Sequence, residues 1–127
     1  MMDGVRVFVG LGSNSVDKYR QIENAIDFLR QNLDEVEVSS IYETDALNGI
    51  DRPYVNSVVT GLTRLDESCL VDCLKKWERE SGRCQARNEA GDIPIDMDLV
   101  VRGESVLRQK DFEREYFMKG YRELAER

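Results

Sequence analysis

Two aspartates, Asp96 and Asp98, lie two positions apart in the stretch DIPIDMDLVV (92–101), which otherwise has the composition of a buried strand. Strand side chains alternate between faces, so both carboxylates project to the same face, about 7 Å apart along the backbone. Like charges this close repel each other, and partial burial adds a loss of hydration. The spacing alone leaves a Mg²⁺ site and a simple solvated strand face equally open.

The types of nucleophile and base that the chain offers are limited, because it contains no histidine and only three cysteines. Without histidine, Ser/His and Cys/His catalytic pairs are excluded, and the commonest general base is missing. Cys69 and Cys73 stand four residues apart in a helical pattern, which is typical of core thiols. Together with Cys84 they are too few for a zinc site. Chemistry here must use carboxylates, cations, a metal or the substrate itself.

Length and charge set further bounds on function. A chain of 127 residues suits one domain, and we predict a single domain over residues 1–127. The net charge of −7, with scattered basic residues, argues against nucleic acid and anionic membranes as partners. No apolar stretch reaches membrane-spanning length and no signal peptide is evident, so we predict a cytoplasmic protein.

Hydrophobic periodicity predicts four strands and two long helices. The strands are 5–11, 35–44, 54–65 and the stretch that carries the paired aspartates. The first helix is expected to begin at Ser15, with Asn14 or Ser15 as its cap. The second is expected to run from near Asp66 to Gly82.

Two regions complete the predicted order of elements. Residues 83–92 show no periodicity and are predicted to form a loop, while the aromatic residues between Phe112 and Leu124 predict a last helix against the sheet. The order β-α-β-β-α-β predicts an α+β, ferredoxin-like fold. In this fold an antiparallel sheet carries both helices on one face, here with a short C-terminal helix added.

Three further motifs each allow two interpretations. GLGSN (10–14) is a lone G-x-G, in which Gly12 marks either a plain tight turn or a close approach of the backbone to a ligand. In PYVNSVV (53–59), Tyr54 and Asn56 share a strand face that would suit a planar heterocycle with an amide edge, although both residues are common at strand starts. Glu78 and Arg83 form either a surface pair or an acid and a base that face a ligand.

The combination of these motifs resembles one family. VFVGLGSN, SSIYET, PYVNSVV, E-x-x-x-G-R (78–83) and IDMDLV occur in the order found in 6-hydroxymethyl-7,8-dihydropterin pyrophosphokinase, a folate-pathway enzyme. The resemblance covers residues 5 to 107. It implies a ferredoxin-like core, transfer of pyrophosphate from ATP to a pterin alcohol, and two Mg²⁺ ions as cofactors.

The resemblance also implies roles for individual residues. The metal would be bound by Asp96 and Asp98, and Arg83 would steady the triphosphate. The residues that line the pterin pocket are Gly12 and Ser13, through their backbone, together with Thr44, Tyr54, Asn56 and Phe117. Asn56 would read the pterin edge, and Phe117 would stack on the ring. Those on the nucleotide side are Glu78, Arg83, Arg87 and Leu99, with Arg102 and Arg108 as further candidate cations.

The departures from the family pattern lie on the nucleotide side. An arginine normally precedes the aspartates, but here Gly91 is followed by Asp92, Ile93 and Pro94. Arg87 is the only cation between residues 84 and 91. Near the C-terminus, Glu115 stands where an arginine is expected, and Arg114 lies one position away.

Three functions follow as hypotheses. The first is a pyrophosphoryl transferase that acts on ATP and a dihydropterin alcohol, as a monomer or weak homodimer. The second is a non-catalytic or altered-substrate relative that keeps the pterin pocket but has lost the ATP side. The third is an ACT-like regulatory module with a ligand at an obligate dimer interface and no metal dependence, and the order of the motifs argues against it.

Overall fold

The computed structural model describes residues 4–127. The helices and strands in chain order are β1 (Val5–Ser13), α1 (Lys18–Asn32), β2 (Asp34–Val38), β3 (Tyr42–Thr44), β4 (Tyr54–Thr63), α2 (Glu67–Glu80), α3 (Gln85–Glu89), β5 (Asp96–Arg102), β6 (Ser105–Val106), α4 (Gln109–Phe112) and α5 (Glu115–Ala125). The strands form one antiparallel sheet in the order β2-β4-β1-β5-β6, and β3 also pairs with β4. The predicted α+β architecture is confirmed.

The sheet is covered on both faces, and each face has its own apolar cluster. The cluster between the sheet and the two long helices α1 and α2 includes Val7, Val9, Ile22, Leu29, Val55, Leu70, Leu74 and Met97. The opposite face packs against α5 through Val58, Val100, Val101, Phe117 and Leu124. The two helices of the βαβ units therefore share one face, as predicted, and the C-terminal helix covers part of the other. Within residues 4–127 no helix combines the length and apolarity needed to cross a membrane.

Helix α1 begins three residues later than predicted, and neither expected cap residue caps it. It starts at Lys18 after Asp17, which makes no side-chain capping bond. The Asn14 amide instead bonds the backbone of Gly91 (2.8 Å) and Ile93 (2.7 Å). The Ser15 hydroxyl donates to Asp92 (2.6 Å). Both side chains are used to fix the loop before β5, so they are unavailable to the helix.

The predicted strand 35–44 is two strands, β2 and β3, separated by residues 39–41. At this break the Ser39 backbone N–H donates to the Val58 carbonyl (2.9 Å), as in a regular ladder. The return bond from the Val58 N–H goes to the Ser39 side-chain hydroxyl (2.9 Å) rather than to a carbonyl. A side chain that replaces the backbone acceptor ends the ladder, which alternation of residue types does not reveal.

Elements around the paired aspartates follow the predictions with two differences. Asp66 caps α2 by accepting from the Cys69 N–H (2.8 Å), and Gly82 adopts φ 103° just after the helix. The predicted loop 83–92 contains the five-residue helix α3. In β5, Val9 pairs with Leu99 and Phe8 with Val101, so Val100 is an extra, bulged residue. The bulge interrupts the alternation just after Val100, so Val100 and Val101 both pack in the cluster against α5.

Gly120 marks a close approach of α5 to the sheet. A Cβ at this position would lie 2.6 Å from Val58 Cγ2 and 2.9 Å from Ser39 Oγ. Replacing Gly120 by alanine should therefore lower the free energy of unfolding by about 1–3 kcal/mol, as overpacking does. Urea denaturation of Gly120→Ala, beside the exposed-site control Arg122→Ala, would measure this. A loss in the control as large as in Gly120→Ala would contradict the packing argument.

Candidate active site

Asp96 and Asp98 lie on the face of β5 that also faces α5, between two adjoining cavities. The first cavity has a volume of about 300 Å³ and the second, more open one about 740 Å³. Both are lined by Asp96, Asp98 and Asp111. A ligand in one cavity would therefore meet a ligand in the other at the paired carboxylates.

The first cavity has a floor without side chains and aromatic walls. Gly10 and Gly12 of β1 form the floor, where a Cβ on Gly10 would come within 3.1 Å of Phe117. The aromatic residues of the wall are Tyr54, Tyr116 and Phe117. The loop between β3 and β4 supplies Asp45, Ala46, Leu47, Asn48 and Asp51. This shape suits a flat ring that lies against the sheet between aromatic side chains.

The Asn56 amide is fixed in one orientation within this cavity. Its side chain is nearly inaccessible, with the residue 2% exposed. The Nδ2 group donates to the Tyr42 backbone oxygen (3.1 Å) and to Thr44 Oγ1 (2.8 Å). These two acceptors settle which end of the amide is the nitrogen, because an oxygen there could not bond a carbonyl. No donor among residues 4–127 bonds Oδ1, which lies beside Gly12 as an acceptor available to a ligand.

Three cations contact the paired carboxylates. The Arg83 guanidinium lies 2.8 Å from Asp96 Oδ1, and Lys75 Nζ lies 3.3 Å from Asp98 Oδ1. Arg108 is more distant, at 3.9 Å from Asp98, and it also pairs with Asp111. The side chain of Asp96 is 40% exposed and that of Asp98 only 13%. The two acids therefore differ in environment although they share a strand face.

That difference separates their proton affinities. Burial, helped by the charge of Asp96, raises the pKa of Asp98 to about 7. Burial also opposes the ionisation of Asp96, but hydrogen bonding with Asp98 and with the Arg83 guanidinium outweighs it and lowers the pKa of Asp96. Near pH 7 Asp96 is therefore ionised while Asp98 is protonated in about half of the molecules, and a cation bound there would displace that proton.

The donor set fits Mg²⁺. Its oxygen atoms are hard ligands, and Mg²⁺ keeps several positions for water and phosphate oxygens, so two carboxylates suffice as its protein anchor. In the part of the chain that the structure describes, no group of three or more Cys, Asp or Glu side chains is placed to enclose a metal. The site thus offers an open anchor and not a closed metal cage.

The second cavity is lined by side chains of both positive and negative charge. Its cations are Lys75, Arg79, Arg83 and Arg108, and its acids are Glu78, Asp96, Asp98 and Asp111. Glu78, only 5% exposed, organises this wall by accepting from the Met97 N–H (2.7 Å) and from Lys75 (3.0 Å). Its other oxygen lies 3.3 Å from Arg83. One buried carboxylate thus fastens α2 to β5 and orients two of the cations.

The structure brings most of the residues named from the sequence into these two cavities. Those that line the first cavity are Gly12, Thr44, Tyr54, Asn56 and Phe117. Those that line the second are Glu78, Arg83 and Arg108, and those shared by both are Asp96 and Asp98.

Four of the named residues line neither cavity, namely Ser13, Arg87, Leu99 and Arg102. Ser13 and Leu99 point to the opposite face of the sheet, because their strand positions alternate with those of Gly12 and Asp98. There the Ser13 hydroxyl donates to the Ile93 carbonyl (3.3 Å), and Leu99 lies in the core under α1 and α2. The Arg87 guanidinium donates instead to Asp92 (2.9 Å) and to Ser15 Oγ (3.1 Å).

The sequence reasoning missed Lys75, Asp111 and Tyr116. Lys75 precedes Glu78 by one turn of α2, and this oppositely charged pair was the signal that could have placed Lys75 beside the site. Asp111 and Tyr116 carry no local signal. They reach the site only because α4 and α5 fold back over the sheet, where the Tyr116 hydroxyl donates to Asp111.

Comparison with known proteins gives one consistent result. The profile of the family described as 7,8-dihydro-6-hydroxymethylpterin-pyrophosphokinase (HPPK) matches residues 8–126. The 2-amino-4-hydroxy-6-hydroxymethyldihydropteridine pyrophosphokinase of Pseudomonas aeruginosa is 37% identical over 106 residues, which cover 80% of this chain and 64% of the relative. The protein of the same name from Aquifex aeolicus is 33% identical over 82% of this chain and 65% of its own length.

The relatives differ widely in total length, although their identities to this chain are similar. The Pseudomonas putida protein of the same name is 31% identical, over 83% of this chain and 88% of its own length. A folate synthesis bifunctional protein of Arabidopsis thaliana is 29% identical over 77% of this chain but only 21% of its own length. Among the first relatives compared, the matched region spans less than two thirds of their full length.

Proposed function

The chain belongs to the 7,8-dihydro-6-hydroxymethylpterin-pyrophosphokinase family, and from this premise we propose that it transfers pyrophosphate from ATP to 6-hydroxymethyl-7,8-dihydropterin in folate biosynthesis. One observation carries the proposal. Asp96 and Asp98 lie where an aromatic-walled cavity adjoins a cavity lined by both cations and acids. A transfer between a heterocyclic alcohol and a triphosphate needs this juxtaposition.

The first cavity would hold the pterin. Its volume of about 300 Å³ lies at the lower end of small-molecule sites, which suits a bicyclic ring. The free Asn56 Oδ1 would accept from the N–H edge of the pterin, while Phe117 and Tyr54 pack against its ring. Among residues 4–127, those that line this pocket include several carboxylates and no Lys or Arg, so it favours a neutral, donor-rich ring over an anionic one.

The second cavity would hold the triphosphate of ATP. Lys75, Arg83 and Arg108 lie close enough to Asp96 and Asp98 to contact phosphate groups anchored there. Phosphoryl transfer depends mainly on positioning and on cations that stabilise the developing charge. Lys75 and Arg108 therefore supply positive charge on the side where the family's usual arginines are missing.

The residues of this chain would position the reactants and need not act as nucleophile. The bond between the hydroxymethyl oxygen and the β-phosphorus forms, the bond from that phosphorus to the α-phosphate oxygen breaks, and AMP leaves with that oxygen. The hydroxyl proton passes to solvent or phosphate, so the absence of histidine is no obstacle. Asp96 and Asp98 would hold Mg²⁺, two ions by the family resemblance, and the metal would supply positive charge to the phosphate oxygens.

A second candidate function, a pterin-binding relative without transferase activity, is favoured by one observation. Two of the cations expected on the nucleotide side are engaged within the chain, Arg83 by Asp96 and Glu78, and Arg87 by Asp92. Nucleotide binding must compete with these ion pairs. In this case the first cavity would keep its ligand, and the second would bind ATP weakly.

Titration calorimetry with a non-hydrolysable ATP analogue and Mg²⁺ separates the two functions. We expect Mg²⁺-dependent binding to the wild type and a loss of at least about 100-fold in affinity in Asp96→Ala, because the metal anchor loses one of its two carboxylates. Asp72→Ala, an exposed α2 position, is the matched control and should bind as the wild type does. AMP release with the dihydropterin alcohol would then complete the case.

The opposite result would favour the second candidate. Absence of nucleotide binding at millimolar concentration, in a folded protein that still binds the pterin, would exclude the transferase. Three associated features remain predictions: a single domain over the whole chain, a monomer or weak homodimer, and a cytoplasmic location with only small-molecule partners.

A further inference from the structure

The segment Ser39–Tyr42, within the SSIYET motif, lies outside the residues that line the two cavities but holds helix α5 at three points. Gly120 packs against Ser39 and Val58, where no larger residue fits. The Ser40 backbone N–H and hydroxyl each donate to the Glu123 carboxylate at 2.8 Å. The third point is the side chain of Tyr42.

The Tyr42 hydroxyl is built into the backbone of α5. It donates to the Tyr116 carbonyl (2.7 Å) and accepts from the Gly120 N–H (3.1 Å). These two backbone groups lie one helical turn apart and flank Phe117. The residue is only 7% exposed, so water has little access to replace either bond. The hydroxyl therefore fixes the part of α5 that carries the cavity walls Tyr116 and Phe117.

Burial also keeps this hydroxyl protonated. It raises the pKa of Tyr42 to about 12, in part opposed by the hydrogen bond from Gly120. The hydroxyl accordingly stays a donor to the Tyr116 carbonyl over the whole physiological pH range. Its contact with α5 does not change with pH in the range where the site carboxylates titrate.

The backbone of Tyr42 contacts the opposite wall of the same cavity. Its carbonyl accepts from Asn56 Nδ2 at 3.1 Å. Tyr42 also pairs with Asn56 across β3 and β4. One residue thus contacts both the amide that faces the ring edge and the helix turn that carries Phe117.

We infer that Tyr42 is a positioning residue that sets the spacing between Asn56 and Phe117 and so determines the affinity of the first cavity for its heterocycle. This inference rests on the proposed function, because it assigns the same cavity to a pterin. Tyr42 contacts neither the paired aspartates nor the residues that line the second cavity. Loss of the hydroxyl should therefore affect pterin binding and leave nucleotide binding intact.

The test compares Tyr42→Phe with Tyr121→Phe in the full chain. Tyr121 lies on the same helix and packs against Phe8 and Phe112, and no hydrogen bond of its hydroxyl occurs within residues 4–127. In Tyr42→Phe we expect Kd and KM for 6-hydroxymethyl-7,8-dihydropterin to rise about tenfold, since a small misplacement of a binding wall costs one to two orders of magnitude. KM for MgATP should stay within about twofold.

Hydrogen exchange over residues 115–125 provides a second measurement that needs no ligand. Faster exchange at Tyr116–Gly120 in Tyr42→Phe, but not in Tyr121→Phe, would support the positioning role when it accompanies the loss of pterin affinity. A lower melting temperature with unchanged pterin Kd would overturn the inference and leave a purely structural tyrosine. A wild type that binds nucleotide but no pterin would instead overturn the proposed function, and the inference with it.

Discussion

Replacing Asp98 by asparagine should give a protein that is more stable than the wild type at pH 8 but has lost the proposed pyrophosphate transfer by about 10³-fold or more. Asparagine keeps the size of the side chain but removes the charge that anchors Mg²⁺. It also removes a buried carboxylate that lies beside Asp96. Function and stability should therefore change in opposite directions at this one position.

The direction of the stability change follows from the pKa of Asp98. Its folded-state pKa is raised to about 7 from the ordinary value of 3.8, so between these pH values the folded protein binds more protons than the unfolded chain. The contribution of Asp98 to stability is present in full below pH 4 and is lost as the pH rises through 7. The amide of the Asp98→Asn variant does not titrate, and we expect a gain of roughly 2 kcal/mol at pH 8 without Mg²⁺.

Urea denaturation at pH 5 and pH 8, with and without MgCl₂, would measure this effect. Mg²⁺ should stabilise the wild type more at pH 8 than at pH 5, because no proton then has to be displaced, and it should not stabilise Asp98→Asn. Asp72→Asn, an exposed carboxylate on α2, controls for the change in net charge. An Asp98→Asn variant with full activity would rule out the metal anchor assigned here.

Replacing Glu78 by alanine should be the most destabilising single change in the site, at about 3–5 kcal/mol. The Met97 N–H would lose its acceptor, and Lys75 and Arg83 would lose a buried counter-charge. These freed cations would turn to Asp96 and Asp98 and compete with Mg²⁺ for them. We therefore also expect the Mg²⁺ concentration needed for half-maximal activity to rise.

Glu78→Gln separates the hydrogen bond from the charge. It can still accept from the Met97 N–H, so we expect about half of the loss in the free energy of unfolding. Glu80→Ala, an exposed position two residues along the same helix, should change stability by less than about 0.5 kcal/mol. A Glu78→Ala variant within about 1 kcal/mol of the wild type would show that the buried carboxylate is not the link between α2 and β5.

The sequence predicted the features that depend on residues near each other in the chain. The strand alternation that placed Asp96 and Asp98 on one face is confirmed, as are the start of α2 near Asp66 and the presence of both long helices. The errors occur where side chains serve distant partners. Asn14 and Ser15 look like helix caps but bind residues 91–93, and Ser39 ends a strand by accepting from Val58.

The same distinction holds for the site. Tyr54 and Asn56 could be placed on a cavity wall because both lie on one strand next to β1. Asp111 could not, because it reaches the site across a tertiary interface with no local pattern. Lys75 had a local signal in its i,i+3 pairing with Glu78, but its contact with Asp98 crosses the interface between α2 and β5. The ion pair that Arg87 forms with Asp92 could not be predicted either, since ion-pair partners depend on the path of the intervening loop.

The central position of β1 has a consequence for the order of folding. Gly12 pairs with Asn56 on one side and with Asp96 on the other, so the floor of the first cavity joins segments from the start, middle and end of the fold. Such non-local pairing must pay its loop-closure entropy before its contacts form, so it folds more slowly than a structure built from local contacts. Refolding chains should therefore gain helix signal well before they can bind a pterin.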